Sequence, residues 1–246
     1  MDLTNKVAIV TGARRVGASV ACALVQRGAR VSLSFRESES DIQRAKTLVE
    51  QTGGSVLAVQ ADLTKSDDCR RLVEETVSKL GRLDILVNMA SAYVSVPFDE
   101  LDESAWDRAL AVDAKGAYLC ALAAAPHLRV SGRGRIINFA DWIARSGRPR
   151  YLGYLPYYVA KAAVIALTEA LAFELAGDGI LVNAIAPGPI RPPEGIEPDE
   201  VEAVARATPL GRWGGDAAIV QAVMALVDSD FVTGETIRVD GGRHLN

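Results

Sequence analysis

Short runs of β-branched and aliphatic residues recur along the chain, separated by longer Ala- and Leu-rich stretches of helical spacing. The apolar runs are Val7–Thr11, Val31–Phe35, Val56–Gln60, Asp84–Asn88, Arg135–Phe139, Ile180–Ala186 and Thr236–Val239. The first of them, short, β-branched and apolar, reads as a buried strand. Helical stretches lie between them. One closes at Gly28, one begins near Asp41 and ends at Gly53-Gly54, and one is capped by Ser66-Asp67-Asp68 and stops at Gly81. Others run from about Ser104 to His127, from Tyr158 to Leu175, and from Asp216 to Asp228. Strand and helix alternate without linker, repeat or low-complexity segment. This pattern predicts a single α/β domain over residues 1–246, a doubly wound parallel sheet of Rossmann type with helices on both faces. Ser131–Gly134 reads as a turn, residues from Asp141 to Pro156 as a polar loop, and the proline-rich Arg191–Pro198 as a loop able to close over a site.

Ligands of such sheets bind at the carboxyl ends of the strands. The Gly12 turn, Arg36, Asp62, Asn88, Asp141 and Pro187-Gly188 all follow predicted strand ends. Gly12-Ala13-Arg14-Arg15-Val16-Gly17 joins the first strand to the first helix, where free backbone N–H groups face an anion and glycine permits close approach. It is not GxGxxG. Arg14 and Arg15 place positive charge where a cofactor phosphate would sit; the alternative is a pair of solvated loop arginines. Arg36 ends the second strand, with no acid at Ser34 or Phe35, which favours the 2′-phosphate of NADPH over the free ribose of NADH. Glu37, one residue later, is an acid that could serve a ribose instead.

Tyr157 and Lys161 lie four residues apart, on one face of a predicted helix. A cation beside a phenol favours the phenolate, so Tyr157 is expected to exchange a proton nearer neutral pH than its ordinary value of ~10 allows. The plainer alternative is a tyrosine and a snorkelling lysine on an amphipathic helix.

Composition narrows the picture. Of 246 residues, 49% are hydrophobic and only 6% aromatic, which suits a sheet sandwiched by small aliphatic side chains. The net charge of −4 supplies no basic field for nucleic acid, although arginines cluster at 14–15 and 145–150. Cys22, Cys69 and Cys120 are far apart, there is no CxxC, and the histidines are only His127 and His244, so neither a metal site nor a disulfide framework is expected. The amino terminus leads directly into a strand without a secretory pattern, and no apolar run reaches membrane-spanning length. A soluble cytoplasmic protein without a membrane partner is the expectation.

Taken together, several pieces resemble the short-chain dehydrogenase/reductase family over essentially the whole chain. They are Thr11-Gly12 with Gly17, Asp62-Leu63, Asn88 to Ser91, Asp113 to Gly116, Ile136-Ile137-Asn138, Tyr157 to Lys161, Asn183 to Gly188, and the Val232 to Gly242 ending. The resemblance implies that Tyr157 is the acid/base, that Lys161 lowers its pKa and holds the nicotinamide ribose, and that Asp62 and Leu63 bracket the adenine. Asn88 and Ala90 would line the cofactor, Pro187, Gly188 and Ile190 would orient the nicotinamide, and family habit suggests a homotetramer. The departures carry information. Asp141 stands where the family has a serine, Asp113 replaces the helix asparagine of its proton relay, and the glycine turn is one residue short. Several of these resemble the pteridine reductase branch, although sixteen positions separate Asp141 from Tyr157, more than is usual. The carboxyl-terminal third resembles 3-oxoacyl-carrier-protein reductases. The leading expectation is an NADPH-dependent reductase of a C=N or C=O bond, pterin-like in substrate. The alternatives are a 3-oxoacyl or general ketone reductase, and a cofactor-binding regulator with its chemistry lost at Asp113 and Asp141. Two like charges at 4 Å repel by roughly 4 kcal/mol at an effective dielectric near 20. Asp141 must therefore be protonated, be turned away, or face a positive substrate; otherwise it braces the Arg145–Arg150 loop.

Overall fold

Every short apolar run forms a strand in the computed structural model, which describes all residues except Arg15, Gly147, Arg148 and Glu194. The strands are β1 (Val7–Thr11), β2 (Arg30–Phe35), β3 (Val56–Gln60), β4 (Ile85–Asn88), β5 (Arg135–Phe139), β6 (Leu181–Pro187) and β7 (Thr236–Val239). They pair in parallel as one seven-stranded sheet of order β3-β2-β1-β4-β5-β6-β7. The order reverses direction between β1 and β4, which opens a crevice at their carboxyl ends. Register brings Thr11, Asn88 and Asn138 level across the three central strands.

Helices cover both faces, as the burial of every β1 residue requires. On one face, α1 (Val16–Gln26), α2 (Glu39–Glu50) and α9 (Gly215–Asp228) contribute Val20, Leu24, Ile42, Val49, Ile219 and Val223 to one core. On the other, α3 (Ser66–Leu80), α5 (Gly116–Ser131) and α7 (Leu155–Leu175) contribute Leu72, Leu128 and Leu175 to a second.

Three features depart from the sequence reading. The stretch expected as one helix from Ser104 to His127 is α4 (Glu103–Ala109), a π-helical turn over Leu110–Lys115, and then α5. Such turns add a residue to the helical repeat and cluster at functional sites; Asp113 lies within this one and is buried. The polar loop after Asp141 contains a short helix, α6 (Trp142–Ser146), and α8 (Pro198–Arg206) begins where the proline-rich loop was expected to end. Finally, the helical run 103–131 spans 29 residues and would match a membrane span by length and composition alone. Half of its apolar window is buried inside the fold, so it is a layer helix.

Candidate active site

Side chains at the level strand ends tie the crevice floor together. Thr11 Oγ1 accepts from the N–H groups of Met89 (2.9 Å) and Ala90 (3.2 Å). Asn88 Nδ2 donates to Asn138 Oδ1 (2.9 Å), Asn138 Nδ2 donates to Thr168 Oγ1 (3.0 Å), and Thr168 Oγ1 donates to the Val164 carbonyl (2.8 Å). This buried chain links β4 through β5 to α7. Buried polar groups of this kind fix one arrangement when each finds a partner.

The turn after β1 is tight despite its irregular spacing. Gly12 has φ +87°, and a Cβ at Gly17 would stand 2.0 Å from the Gly12 carbonyl oxygen, so neither position tolerates a side chain. Val16 and Gly17 open α1 beside it. Arg14 is exposed and pairs with Asp41 at 3.0 Å; Arg15 lies outside the described residues. Arg36, also exposed, pairs with Glu37 at 3.1 Å. Both arginines are therefore solvated and held by weak surface pairs that a phosphate can outcompete. Asp62 Oδ1 accepts from the Thr64 hydroxyl (2.8 Å) and N–H (3.1 Å), and Leu63 lies buried next to it. At the far side, Gly188 follows β6, and a Cβ there would meet Asp240 Cβ at 2.5 Å. Pro187 closes β6 and Ile190 is buried in the core beyond it. Arg191, at the start of that flap, is bound by Asp216, which also takes the Ser19 hydroxyl of α1.

The proton site stands above this floor. Pro156 occupies the first turn of α7, where its missing N–H costs nothing, and Tyr157 follows it. The Tyr157 hydroxyl donates to Asp141 Oδ2 at 2.8 Å. Asp141 Oδ1 accepts from the Ile143 N–H at 2.9 Å, capping α6. Lys161 Nζ donates to the Phe139 carbonyl at 2.7 Å and forms an ion pair with Asp113 Oδ1 at 2.9 Å. That second contact lacks hydrogen-bond alignment and is ionic in character. Asp113 Oδ2 accepts from the Ala92 N–H at 3.0 Å. Tyr157, Lys161, Asp113 and Asp141 thus meet in space from α7, the π-helical turn and the end of β5.

With the fold and these groups placed, comparison with known proteins is decisive. A family model described as enoyl-(acyl carrier protein) reductase matches residues 11–244. A solved short-chain dehydrogenase/reductase from Serratia marcescens superposes with a TM-score of 0.91 at 30% identity, over 99% of this chain and 100% of the other. The chain belongs to the short-chain dehydrogenase/reductase family. A 3-oxoacyl-[acyl-carrier-protein] reductase of Staphylococcus epidermidis is 32% identical over 98% of this chain and all of its own length. A subunit of the (2S)-[(R)-hydroxy(phenyl)methyl]succinyl-CoA dehydrogenase of Thauera aromatica is 34% identical over 100% of this chain and 99% of its own. The protein is accordingly an oxidoreductase of this family.

The electrostatics of this short-chain dehydrogenase/reductase correct one expectation. Lys161 was expected to pull the Tyr157 pKa down, yet the phenol sits well above its ordinary value, first because it is buried and then because Asp141 and Asp113 face it. The ammonium is neutralised by Asp113 and turned to the Phe139 carbonyl, 5.6 Å from the tyrosine ring centre. With one ammonium shared between two carboxylates, an uncharged Tyr157 is favoured. Asp141 is raised above the usual carboxylate range by burial, against the bonds from Ile143 and Tyr157 that favour its charge. Asp141 thus caps α6 through one oxygen and accepts from the Tyr157 hydroxyl through the other.

This raised carboxyl has a thermodynamic consequence. Between the ordinary aspartate value of ~3.9 and its raised value, Asp141 binds more proton in the folded state than in the unfolded chain, so its contribution to stability falls as pH rises across that window. Asp141→Asn removes the titration. The Tm of the variant relative to wild type should therefore increase from about pH 4 upward and level off above the raised value, as read by thermal unfolding across pH. A difference that stays flat, or falls, overturns the burial argument.

Sequence reasoning missed the aromatic surroundings of Tyr157. Tyr93 packs edge-on against Tyr157 (centroids 4.9 Å, 81°) and stacks on Tyr154 (4.7 Å, 23°). Tyr151 and Trp142 continue the group outward, with Arg150 5.3 Å above the Trp142 ring. A signal was present: with aromatics this scarce, the spacing of Tyr151, Tyr154 and Tyr157 is dense.

Proposed function

We propose that the protein is an NADPH-dependent reductase of a 3-oxoacyl thioester, reducing the ketone to a secondary alcohol. The observation that carries this reading is the Tyr157 hydroxyl, buried and bonded to Asp141. It is supported by full-length relatives whose names describe acyl-thioester chemistry, a 3-oxoacyl-[acyl-carrier-protein] reductase and a hydroxy(phenyl)methyl-succinyl-CoA dehydrogenase. Fit to a dinucleotide follows from the glycines: φ +87° at Gly12, and the backbone or Asp240 that a Cβ would strike at Gly17 and Gly188, keep all three positions free of side chains.

Gly12, Val16 and Gly17 would hold the pyrophosphate at the start of α1, Arg14 and Arg36 the 2′-phosphate, Asp62, Leu63, Asn88 and Ala90 the adenine and its ribose, and Pro187, Gly188 and Ile190 the nicotinamide. When bound, the nicotinamide supplies a hydride to the carbonyl carbon. The chain supplies the rest. Tyr157 passes its proton to the carbonyl oxygen, and Asp141, where the family has its serine, accepts from the Tyr157 hydroxyl and so aims it. Lys161 is fixed by Phe139 and Asp113 so that its position does not drift.

A pterin-like C=N substrate is a second reading, favoured by the carboxylate at Asp141, which can balance a protonated ring nitrogen. Assembly as a homotetramer and a cytoplasmic location are further proposals by analogy with the family, and light scattering tests the first.

The experiment follows NADPH absorbance with acetoacetyl-CoA and a dihydropterin side by side. The thioester should turn over with a higher kcat/KM than the pterin; the reverse ranking establishes the second reading, and no turnover of any carbonyl or C=N substrate would leave a regulator. In the same assay NADPH should be preferred to NADH, and Arg36→Ala should remove most of that preference. A hydrogen bond to a charged group contributes roughly 1.5–3 kcal/mol, so the loss is about tenfold or more in NADPH affinity. Equal affinity for the two cofactors in the wild type refutes the assignment of Arg36.

A further inference from the structure

Five of the 14 aromatic residues of this chain gather around the catalytic hydroxyl, from three separate segments. Tyr93 comes from the loop after β4, Trp142 from α6, and Tyr151, Tyr154 and Tyr157 from the approach to α7 and its first turn. Trp142 and Tyr157 are buried, but Tyr93 is 55% and Tyr151 44% exposed. Large apolar rings left open in this way mark a binding surface, because folding alone would bury them.

The rings are also held in place. The Ala92 N–H, immediately before Tyr93, donates to Asp113, the partner of Lys161. Four residues further on, the Val96 N–H donates to the Gly153 carbonyl at 2.8 Å, fastening the Tyr93 loop to the Tyr151–Tyr154 loop. Gly153 has φ +81°, and a Cβ there would press on Ser95 Oγ at 2.5 Å, so the two loops meet as closely as backbone allows. The surface beside Tyr157 is therefore a fixed pair of rings, tied to the proton site itself.

Its geometry favours flat partners. The Tyr93–Tyr157 and Tyr154–Tyr157 pairs are close to perpendicular, with centroids 4.9 and 6.3 Å apart, inside the range in which aromatic rings attract edge to face. An alkyl group laid here gains only buried area, whereas an aryl group gains area and oriented ring contact. We propose that Tyr93, exposed on one face and backed by the stacked Tyr154 ring, forms a one-sided aromatic clamp that makes this enzyme selective for ketones carrying an aryl group on the reacting carbonyl. This deepens the 3-oxoacyl reading above, whose substrate would then be a 3-aryl-3-oxoacyl thioester.

The test separates the two claims. Reduction of ethyl benzoylacetate and ethyl acetoacetate is compared first, because these esters need no thioester, and benzoylacetyl-CoA and acetoacetyl-CoA are compared second. The aryl ester should be preferred about tenfold in kcat/KM, and Tyr93→Leu and Tyr154→Leu should each cut that ratio several-fold, through KM for the aryl substrate, as expected for a ring pair. Tyr93→Phe, which keeps the ring, should retain the preference. NADPH affinity, measured by fluorescence, confirms that each variant is folded. Aryl preference with inert thioesters would keep the clamp and overturn the thioester reading. Equal use of the two esters by the wild type, turnover of neither, or a preference untouched by both leucine variants overturns the clamp.

Discussion

Tyr157→Phe is expected to bind NADPH as the wild type does and to lose about 100-fold or more in kcat. The ring keeps its edge contact with Tyr93 and its place in the first turn of α7, so packing survives. What disappears is the hydroxyl that the structure holds 2.8 Å from Asp141. General acid catalysis is worth roughly 10²–10⁴-fold, and among the described residues no other phenol is hydrogen-bonded to Asp141. Steady-state kinetics with acetoacetyl-CoA measures the loss, and a fluorescence titration with NADPH checks binding. Near-normal turnover would mean that Asp141 delivers the proton unaided. The raised phenol adds a pH signature: with Tyr157 uncharged, proton donation by the wild type should persist to alkaline pH rather than fade near neutrality.

A second large effect is expected in stability. Asp113 and Lys161 are both almost completely buried, with side-chain exposures of 0% and 3%. Asp113→Ala leaves the ammonium in the interior with only the Phe139 carbonyl, and breaking one side of a buried pair costs about 3–5 kcal/mol. For a chain of this size that corresponds to a fall in Tm of very roughly 6–20 °C. The Ala92 N–H loses its acceptor too, which loosens the Tyr93 loop. Asp113→Asn also removes the counter-charge but keeps an acceptor for that N–H, so it should be destabilised less than Asp113→Ala. Differential scanning calorimetry of the two variants decides the matter; an Asp113→Ala protein melting with the wild type would show that the pair contributes little.

The relation of sequence to site is best seen in particular residues. The α/β alternation, the parallel sheet and the level strand ends followed from seven short apolar runs, because strands covered on both faces are mostly hydrophobic. Tyr157 and Lys161 were legible for the same local reason: helical spacing alone puts them on one face. Gly12 and Gly17 were legible as a glycine-bearing turn between strand and helix, and the structure adds why no side chain fits there.

Local pattern could not supply the direction of the Tyr157 pKa. Sequence places Lys161 one helical turn from the phenol, but a pKa answers to every charge within reach and to burial. Asp141 lies sixteen positions upstream and Asp113 forty-four, and only the packing of β5 and the π-helical turn against α7 brings both carboxylates to the site. That turn was itself invisible, since its residues have ordinary helical composition and the extra residue in the repeat is set by what Asp113 contacts. The tyrosine cluster is of the same kind: Tyr93 and Tyr154 are far apart in the chain and meet because Val96 and Gly153 fasten two loops together. Local periodicity therefore determined the elements, their order and the residues each presents, while the tertiary structure alone decided which charges and rings share the interior, because electrostatic and aromatic interactions act through distance in space and not along the chain.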